Sequence, residues 1–272
     1  MKRLPYLSLF LAAVLDAQQG LPTLIDRELL FGNPEISAVQ LSPDGQYMAF
    51  LKPWKDTRNI WIKQTAEPFA GARLLTAETK RPIPSFSFTR DSKRILFVKD
   101  NDGDENFNVY AADPSAARPG QDGAPPAQDL TGLKGVRIYI YDLPKADPAI
   151  AYVGLNDRDK AWHDLYKLDL ATGARTLIRQ NTERVTSWVF DLSGKLRLAQ
   201  RTDTSGEQEI LRVNPDGFQK IYSCGIFDTC YPIRFHKDGK HIYLNTNKGE
   251  SQDLTVLALL DVDSGSIAPV ES

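Results

Sequence analysis

An excess of charge of either sign is missing from this chain. Its 272 residues carry 33 Lys and Arg against 35 Asp and Glu, a formal net charge of −2 with a pI near 6.0. Without a basic excess to neutralise phosphates, nucleic acid is excluded as a partner on electrostatic grounds. Long hydrophobic runs are missing too. The longest, Leu4 to Leu15, is about a dozen residues interrupted by Pro5 and Ser8, too short to cross a bilayer as a helix. Behind the positive Met1-Lys2-Arg3 it has the form of a signal-peptide core, the other reading being a buried strand or helix of the mature fold. Residues 1–17 are therefore read as a signal peptide cut after Ala17, which makes the protein exported, periplasmic or extracellular, with no membrane span after cleavage. No cysteine follows the apolar run, which argues against a lipoprotein anchor.

Cysteine is nearly absent. Cys224 and Cys230 are the only two, and in an exported protein an isolated pair is a disulfide candidate, with free thiols as the alternative. So short a loop would contribute roughly 2 kcal/mol in the chain-entropy view. Two cysteines without nearby ligands do not make a zinc site. Also absent is any Gly-x-Ser-x-Gly segment, the nucleophile elbow on which an α/β-hydrolase mounts its serine. The three histidines, His163, His236 and His241, read as surface or strand-edge residues. Asp100-Asn101-Asp102-Gly103-Asp104-Glu105-Asn106 is acidic enough to suggest a calcium loop. Counted from Asp100, however, the sixth and twelfth places hold Glu105 and Ala111 rather than Gly and Glu. It reads as an acidic hairpin loop. No catalytic, cofactor-binding or metal-ligating set is assigned, and no cofactor is expected.

What the chain does have is a repeat. Val39 to Phe50 runs strand, Ser42-Pro43-Asp44-Gly45 turn, strand. Phe86 to Phe97 repeats this about Thr89-Arg90-Asp91-Ser92, Val189 to Leu198 about Asp191-Leu192-Ser193-Gly194, and Ile233 to Leu244 about His236-Lys237-Asp238-Gly239. Asp-Gly and Ser-Gly supply the positive φ angles tight turns require. A degenerate copy, with a longer turn carrying Pro144 and Pro148, joins Val136–Tyr141 to Ala149–Val153. A further strand follows in each unit, as in Asn108–Asp113 and Asp164–Asp169, and then a small turn and a fourth strand, as in Asp169–Gly173 followed by Ala174–Ile178. The anchor residues Ser42, Thr89, Asp142, Asp191 and His236 lie 45 to 53 residues apart. Four short strands in a unit of that length is the signature of a propeller blade, and a β-sandwich has no reason to repeat one turn chemistry five times. The predicted fold is all-β, a β-propeller with about five four-stranded blades near 37–80, 84–131, 136–180, 185–223 and 231–270, preceded by a helix and linker over 22–36. Trp54, Trp61, Trp162 and Trp188 are expected in the core between blades. Pro114 to Gln128 is expected to be a flexible loop.

The segments Ile25 to Pro34, Leu41-Ser42-Pro43-Asp44-Gly45, Gly103 to Tyr110, Gly154 to Asp159 and Phe235 to Lys240, in that order, resemble the propeller of exported bacterial peptidases of the prolyl oligopeptidase family, on the acylaminoacyl-peptidase and dipeptidyl-peptidase side, with TolB-like repeats. The resemblance covers nearly all of the mature chain. It implies a larger, seven-bladed type of propeller capping an α/β-hydrolase domain that carries a Ser-Asp-His triad and is not present here. The propeller would filter short peptides by size and help to hold their amino end, without being catalytic itself. On that reading short peptides and the hydrolase domain are the partners, and Asp102, Asp104, Glu105, Asp157 and Asp159 are the candidate residues for contacting a peptide's amino end or the other domain. The alternative is a free-standing periplasmic propeller that binds a protein or ligand.

Overall fold

The computed structural model describes residues 23–32, 34–100, 103–118, 123–249 and 254–270. The proposed signal peptide lies outside the described residues. The chain divides into two units, one up to Glu35 and one from Ile36. In the first, α1 (Arg27–Phe31) begins where the Asp26 carboxylate accepts the Glu28 N–H at 2.9 Å. It ends as Gly32 donates its N–H to the Glu28 carbonyl. Gly32 is not in the left-handed region (φ −62°). Its value as a stop lies in close approach, since a Cβ there would collide with the Glu28 carbonyl oxygen.

The second unit holds five four-stranded antiparallel sheets, each a meander in chain order. Blade 1 comprises β1 (Ser37–Leu41), β2 (Tyr47–Trp54), β3 (Thr57–Gln64) and β4 (Arg73–Leu74), and blade 2 comprises β5 (Phe86–Phe88), β6 (Ile95–Lys99), β7 (Asn108–Ala112) and β8 (Gln128–Asp129). Blade 3 has β9 (Ile138–Asp142), β10 (Ile150–Leu155), β11 (Asp164–Asp169) and β12 (Arg175–Arg179). Blade 4 has β13 (Val185–Phe190), β14 (Leu196–Thr202), β15 (Gln208–Asn214) and β16 (Gly217–Cys224), and blade 5 has β17 (Cys230–Phe235), β18 (His241–Thr246), β19 (Val256–Asp261) and β20 (Ile267–Pro269).

The tight turns form for the reason their composition suggests. In blade 1 Ser42 donates its hydroxyl to Asp44 Oδ1 (2.5 Å), the same oxygen accepts the Gln46 N–H (3.0 Å), and Gly45 takes φ +73°. In blade 2 the glycine slot is filled by Ser92 at φ +61°. Its hydroxyl accepts the Asp44 N–H of blade 1 at 3.1 Å, which gives a reason for a side chain in a strained position.

Successive blades are joined by four apolar clusters. Ala49, Ile60 and Ile62 pack with Ile83, Phe86 and Phe97 between blades 1 and 2. Leu96 and Val109 meet Ile138, Ala151 and Val153 between blades 2 and 3. Leu165 joins Trp188, Ala199 and Leu211 between blades 3 and 4, and Leu198 and Ile210 join Phe235, Ile242 and Leu244 between blades 4 and 5. Of the four tryptophans only Trp188 is in such a core; Trp54, Trp61 and Trp162 are half-buried, and Trp61 donates its indole N–H to the Lys52 carbonyl instead. The segment after β7 also departs from expectation. Pro114–Ala116 is a 3-10 turn capped by Asp113, and Pro114 and Ala117 are buried, so its start is packed. Residues 119–122 lie outside the described residues.

Candidate functional site

An antiparallel meander puts its connections alternately at two ends. The turns from first to second strand share one end with those from third to fourth. The loops from second to third strand share the opposite end with the crossovers that lead to the next blade. Both acidic loops singled out from the sequence, Gly103–Asn106 and Asp157–Asp159, are second-to-third-strand loops, so they lie at the same end of adjacent blades.

At that end a buried polar residue stands at or near the start of the third strand in blades 1 to 4: Asn59, Asn108, Asp164 and Glu209. Asn59 donates to the Thr57 and Glu78 carbonyls, and its Oδ1 accepts from the Thr76 hydroxyl and the Glu78 N–H. Asn108 repeats this arrangement, donating to the Leu133 carbonyl and accepting from the Thr131 hydroxyl and the Leu133 N–H. The two threonines in turn accept the N–H groups of Ile60 and Val109. Each asparagine thus ties its own third strand to the crossover that leads to the next blade. Asp164 does the same by accepting the Asn181 N–H at 2.7 Å, while Arg158 grips it with two nitrogens at 2.7 Å each. Burial alone would raise the Asp164 carboxyl; the Arg158 fork and the Asn181 N–H outweigh it and hold the group below the usual carboxylate range. Glu209 is likewise held low, its burial outweighed by Lys220 at 2.8 Å and Arg201 at 2.6 Å.

The exposed carboxylates are less constrained. Asp104 accepts the Asn106 N–H at 3.0 Å, and Asp159 accepts the Ala161 N–H at 2.9 Å. Asp104, Glu105 and Asp157 are exposed, and Asp159 is half-buried. Glu105 sits at φ +58° and donates its N–H to Asp100. Asp100 is buried and lies 3.5 Å from Arg81, so it faces inward and is not part of an open acidic surface. Asp102 lies outside the described residues. Between the two loops, Arg137 stacks over Phe107 and Tyr139, with the His163 ring 4.5 Å from Tyr139. Burial, and then the nearby Arg137 charge, push His163 down towards its neutral form. This end therefore presents carboxylates beside an aromatic and cationic cluster. The carboxylates can attract a cationic group, and among these described residues no nucleophile is paired with a base.

Cys224, the last residue of β16, and Cys230, the first of β17, are joined as a disulfide with Cα atoms 6.0 Å apart, and both are buried. The bond clips the crossover between blades 4 and 5 at the same end. At the opposite end His236, Asp238 and His241 bring their ligand-type atoms within 4.8 Å of one another. The sequence alone reads these histidines as surface or strand-edge residues. The signal that could have found them is the repeat itself, because they flank the turn where blade 1 has Ser42 and Tyr47.

Five four-stranded meanders with apolar cores between neighbours are a β-propeller. No family model matches the chain. It is 34% identical over 245 residues to dipeptidyl aminopeptidase BIII of Pseudoxanthomonas mexicana, covering 89% of this chain and 34% of that protein. It is 30% identical over 194 residues to dipeptidyl peptidase family member 6 of Caenorhabditis elegans, covering 68% of this chain and 24% of the relative. Among solved structures it superimposes on a prolyl endopeptidase with a TM-score of 0.62 at 12% identity, over 86% of this chain and 35% of the other. With TolB of Acinetobacter baumannii the TM-score is 0.54 at 14% identity, over 89% and 55%. The chain spans about a third or less of the length of these curated relatives. It is a propeller portion of the prolyl oligopeptidase family.

Proposed function

We propose that this chain is the propeller of an exported serine peptidase that hydrolyses short peptides. In this reading it restricts access by size, supplies carboxylates that receive a peptide's amino end, and contacts an α/β-hydrolase domain that performs the chemistry. The observation that carries the reading is the 34% identity to a dipeptidyl aminopeptidase along 89% of this chain but only 34% of the relative. Asp104, Glu105, Asp157 and Asp159 are the candidate amino-end contacts, since they lie on loops at one end of adjacent blades and a cationic ammonium complements them.

The test is the reading frame of the source gene beyond codon 272, followed by kinetics. A hydrolase domain with a Gly-x-Ser-x-Gly segment is expected downstream. In the full-length enzyme, D157N together with D104N should raise KM for peptides with a free amino end and leave amino-blocked substrates unchanged. A frame that closes without such a segment sinks the reading and leaves the free-standing binding propeller, which the TolB likeness in fold favours.

A further inference from the structure

In three blades a carboxylate at one fixed place organises the turn between first and second strands. Asp44, Asp91 and Asp238 each accept, on Oδ1, the N–H two residues on, from Gln46 (3.0 Å), Lys93 (3.1 Å) and Lys240 (2.8 Å). The residue two before the aspartate is Ser42 or Thr89 in blades 1 and 2, and its hydroxyl donates to that same Oδ1. The residue three after it is Tyr47 or Arg94. In blade 5 both of these places are histidine. An imidazole cannot reproduce the hydroxyl's role, and the geometry changes accordingly. His236 Nδ1 lies 2.9 Å and His241 Nδ1 2.7 Å from the other oxygen, Asp238 Oδ2. The backbone holds Oδ1, from Lys240 and from the His241 N–H at 3.1 Å, so Oδ2 is presented to the two rings in a fixed direction. A second carboxylate, Asp261 of β19, brings Oδ2 to 3.6 Å from the remaining ring nitrogen of His241. The three side chains are a quarter to a third exposed, so solvent can reach the point where they meet.

We propose that the His236–Asp238–His241 turn binds one divalent transition-metal ion of the Zn2+ type through both Nδ1 atoms and Asp238 Oδ2, with water completing the shell. Two imidazoles and one carboxylate suit zinc, nickel or copper, whereas calcium and magnesium seek oxygen ligands. Zinc–ligand distances of about 2.0–2.1 Å in a tetrahedral shell separate neighbouring ligand atoms by about 3.3 Å. The present contacts reach that by opening about half an ångström. The ion lies where the two Nδ1 atoms converge on Asp238 Oδ2 and displaces the 3.4 Å approach of the Asp238 N–H to His236 Nδ1, while the Asp261 carboxylate, 3.6 Å from His241 Nε2, orients that ring as it closes by a few tenths of an ångström. Such an ion fastens β17 to β18 at the turn and, through Asp261, holds the end of β19. The site lies at the end of the blades opposite the acidic loops and stands whether or not the peptidase reading does.

The test is calorimetric titration of the full chain, without a polyhistidine tag, with Zn2+ alone, together with the visible spectrum of added Co2+. One ion per chain is expected, with a Co2+ spectrum of a nitrogen- and oxygen-ligated site. His236→Ser and His241→Tyr place the blade 1 residues in the same slots, so the turn retains a known way to form. Each should weaken Zn2+ binding more than tenfold and abolish the Co2+ spectrum while circular dichroism is unchanged. Asp261→Asn should weaken it by a smaller factor, up to about tenfold. Absence of heat and thermal shift with the unaltered chain up to millimolar Zn2+ overturns the proposal, as does one-to-one binding that survives in the double variant.

Discussion

Asn108 shows how much one side chain can hold at a blade boundary. It is 1% exposed and binds both the N–H and the carbonyl of Leu133 as well as the Thr131 hydroxyl. Asn108→Ala removes all three bonds at once and strands the N–H and carbonyl of half-buried Leu133, while the Thr131 hydroxyl is left to donate only to Asp129, at 3.5 Å. The expected cost is about 2–3 kcal/mol, read from urea unfolding; a loss below half a kcal/mol would show that the crossover does not depend on it. Asp164 and Glu209 make a prediction in pH. Both carboxyls are held below their unfolded values, so their contribution is complete above the unfolded pKa of about 3.9–4.3 and is lost as pH falls through the folded values. The melting temperature should therefore drop steeply below about pH 4, beyond a separate loss that sets in below about pH 6.5 because His163 is held towards its neutral form in the folded state, and Asp164→Asn should flatten part of the limb below about pH 4. The Asn-Thr relay was not legible in the sequence, because Asn59 and Thr76, or Asn108 and Thr131, are too far apart in the chain for local patterning to link them. The Arg158–Asp164 fork was hidden for another reason: an Asp-Arg-Asp loop reads as a solvated turn until burial of Asp164 is known.

At the scale of elements, local chemistry was more legible, because strand alternation and Asp-Gly turns are short-range signals. Blade 5's turn could be placed from Asp238-Gly239, and blade 3's irregularity from Pro144 and Pro148. Two glycines separate local from long-range demands. Gly45 and Gly173 share the left-handed region, at φ +73° and +75°, but a Cβ on Gly45 meets open space whereas one on Gly173 meets the Leu130 carbonyl of blade 2. Gly45→Ala should cost about 1 kcal/mol, the backbone penalty alone. Gly173→Ala should cost clearly more, since the end of β8 must move as well. Equal losses on chemical denaturation would show that the blade 2 backbone yields freely. The Cys224–Cys230 bond acts on one crossover. Replacing both cysteines by alanine should lower stability by roughly 2 kcal/mol, and a reducing agent should have a similar effect on the unaltered chain and none on the variant.

For the propeller unit as a whole the decisive feature is what its terminal blades leave uncovered. Each of the four apolar clusters joins one blade to the next in sequence, and none of them joins blade 5 to blade 1 among the described residues. In blade 1 Gln40 turns towards blade 2 and donates to the Phe86 carbonyl, while Val39 and Leu41 are more than half exposed. In blade 5 Phe235, Ile242 and Leu244 face blade 4, while Tyr231, Ile233 and Leu257 are exposed. Apolar sheet faces of this kind seek cover. A free-standing propeller in solution should not carry two of them, whereas a propeller that is part of a larger peptidase can cover them with further structure. The two readings therefore diverge in a measurement. If the peptidase reading holds, the chain by itself should self-associate as its concentration rises, in sedimentation velocity at moderate salt. Leu257→Lys with Val39→Lys should suppress this without lowering the melting temperature, because neither side chain contributes to a core. A monodisperse monomer at every concentration would instead favour the independent binding module, and the peptidase assignment would then rest on sequence identity alone.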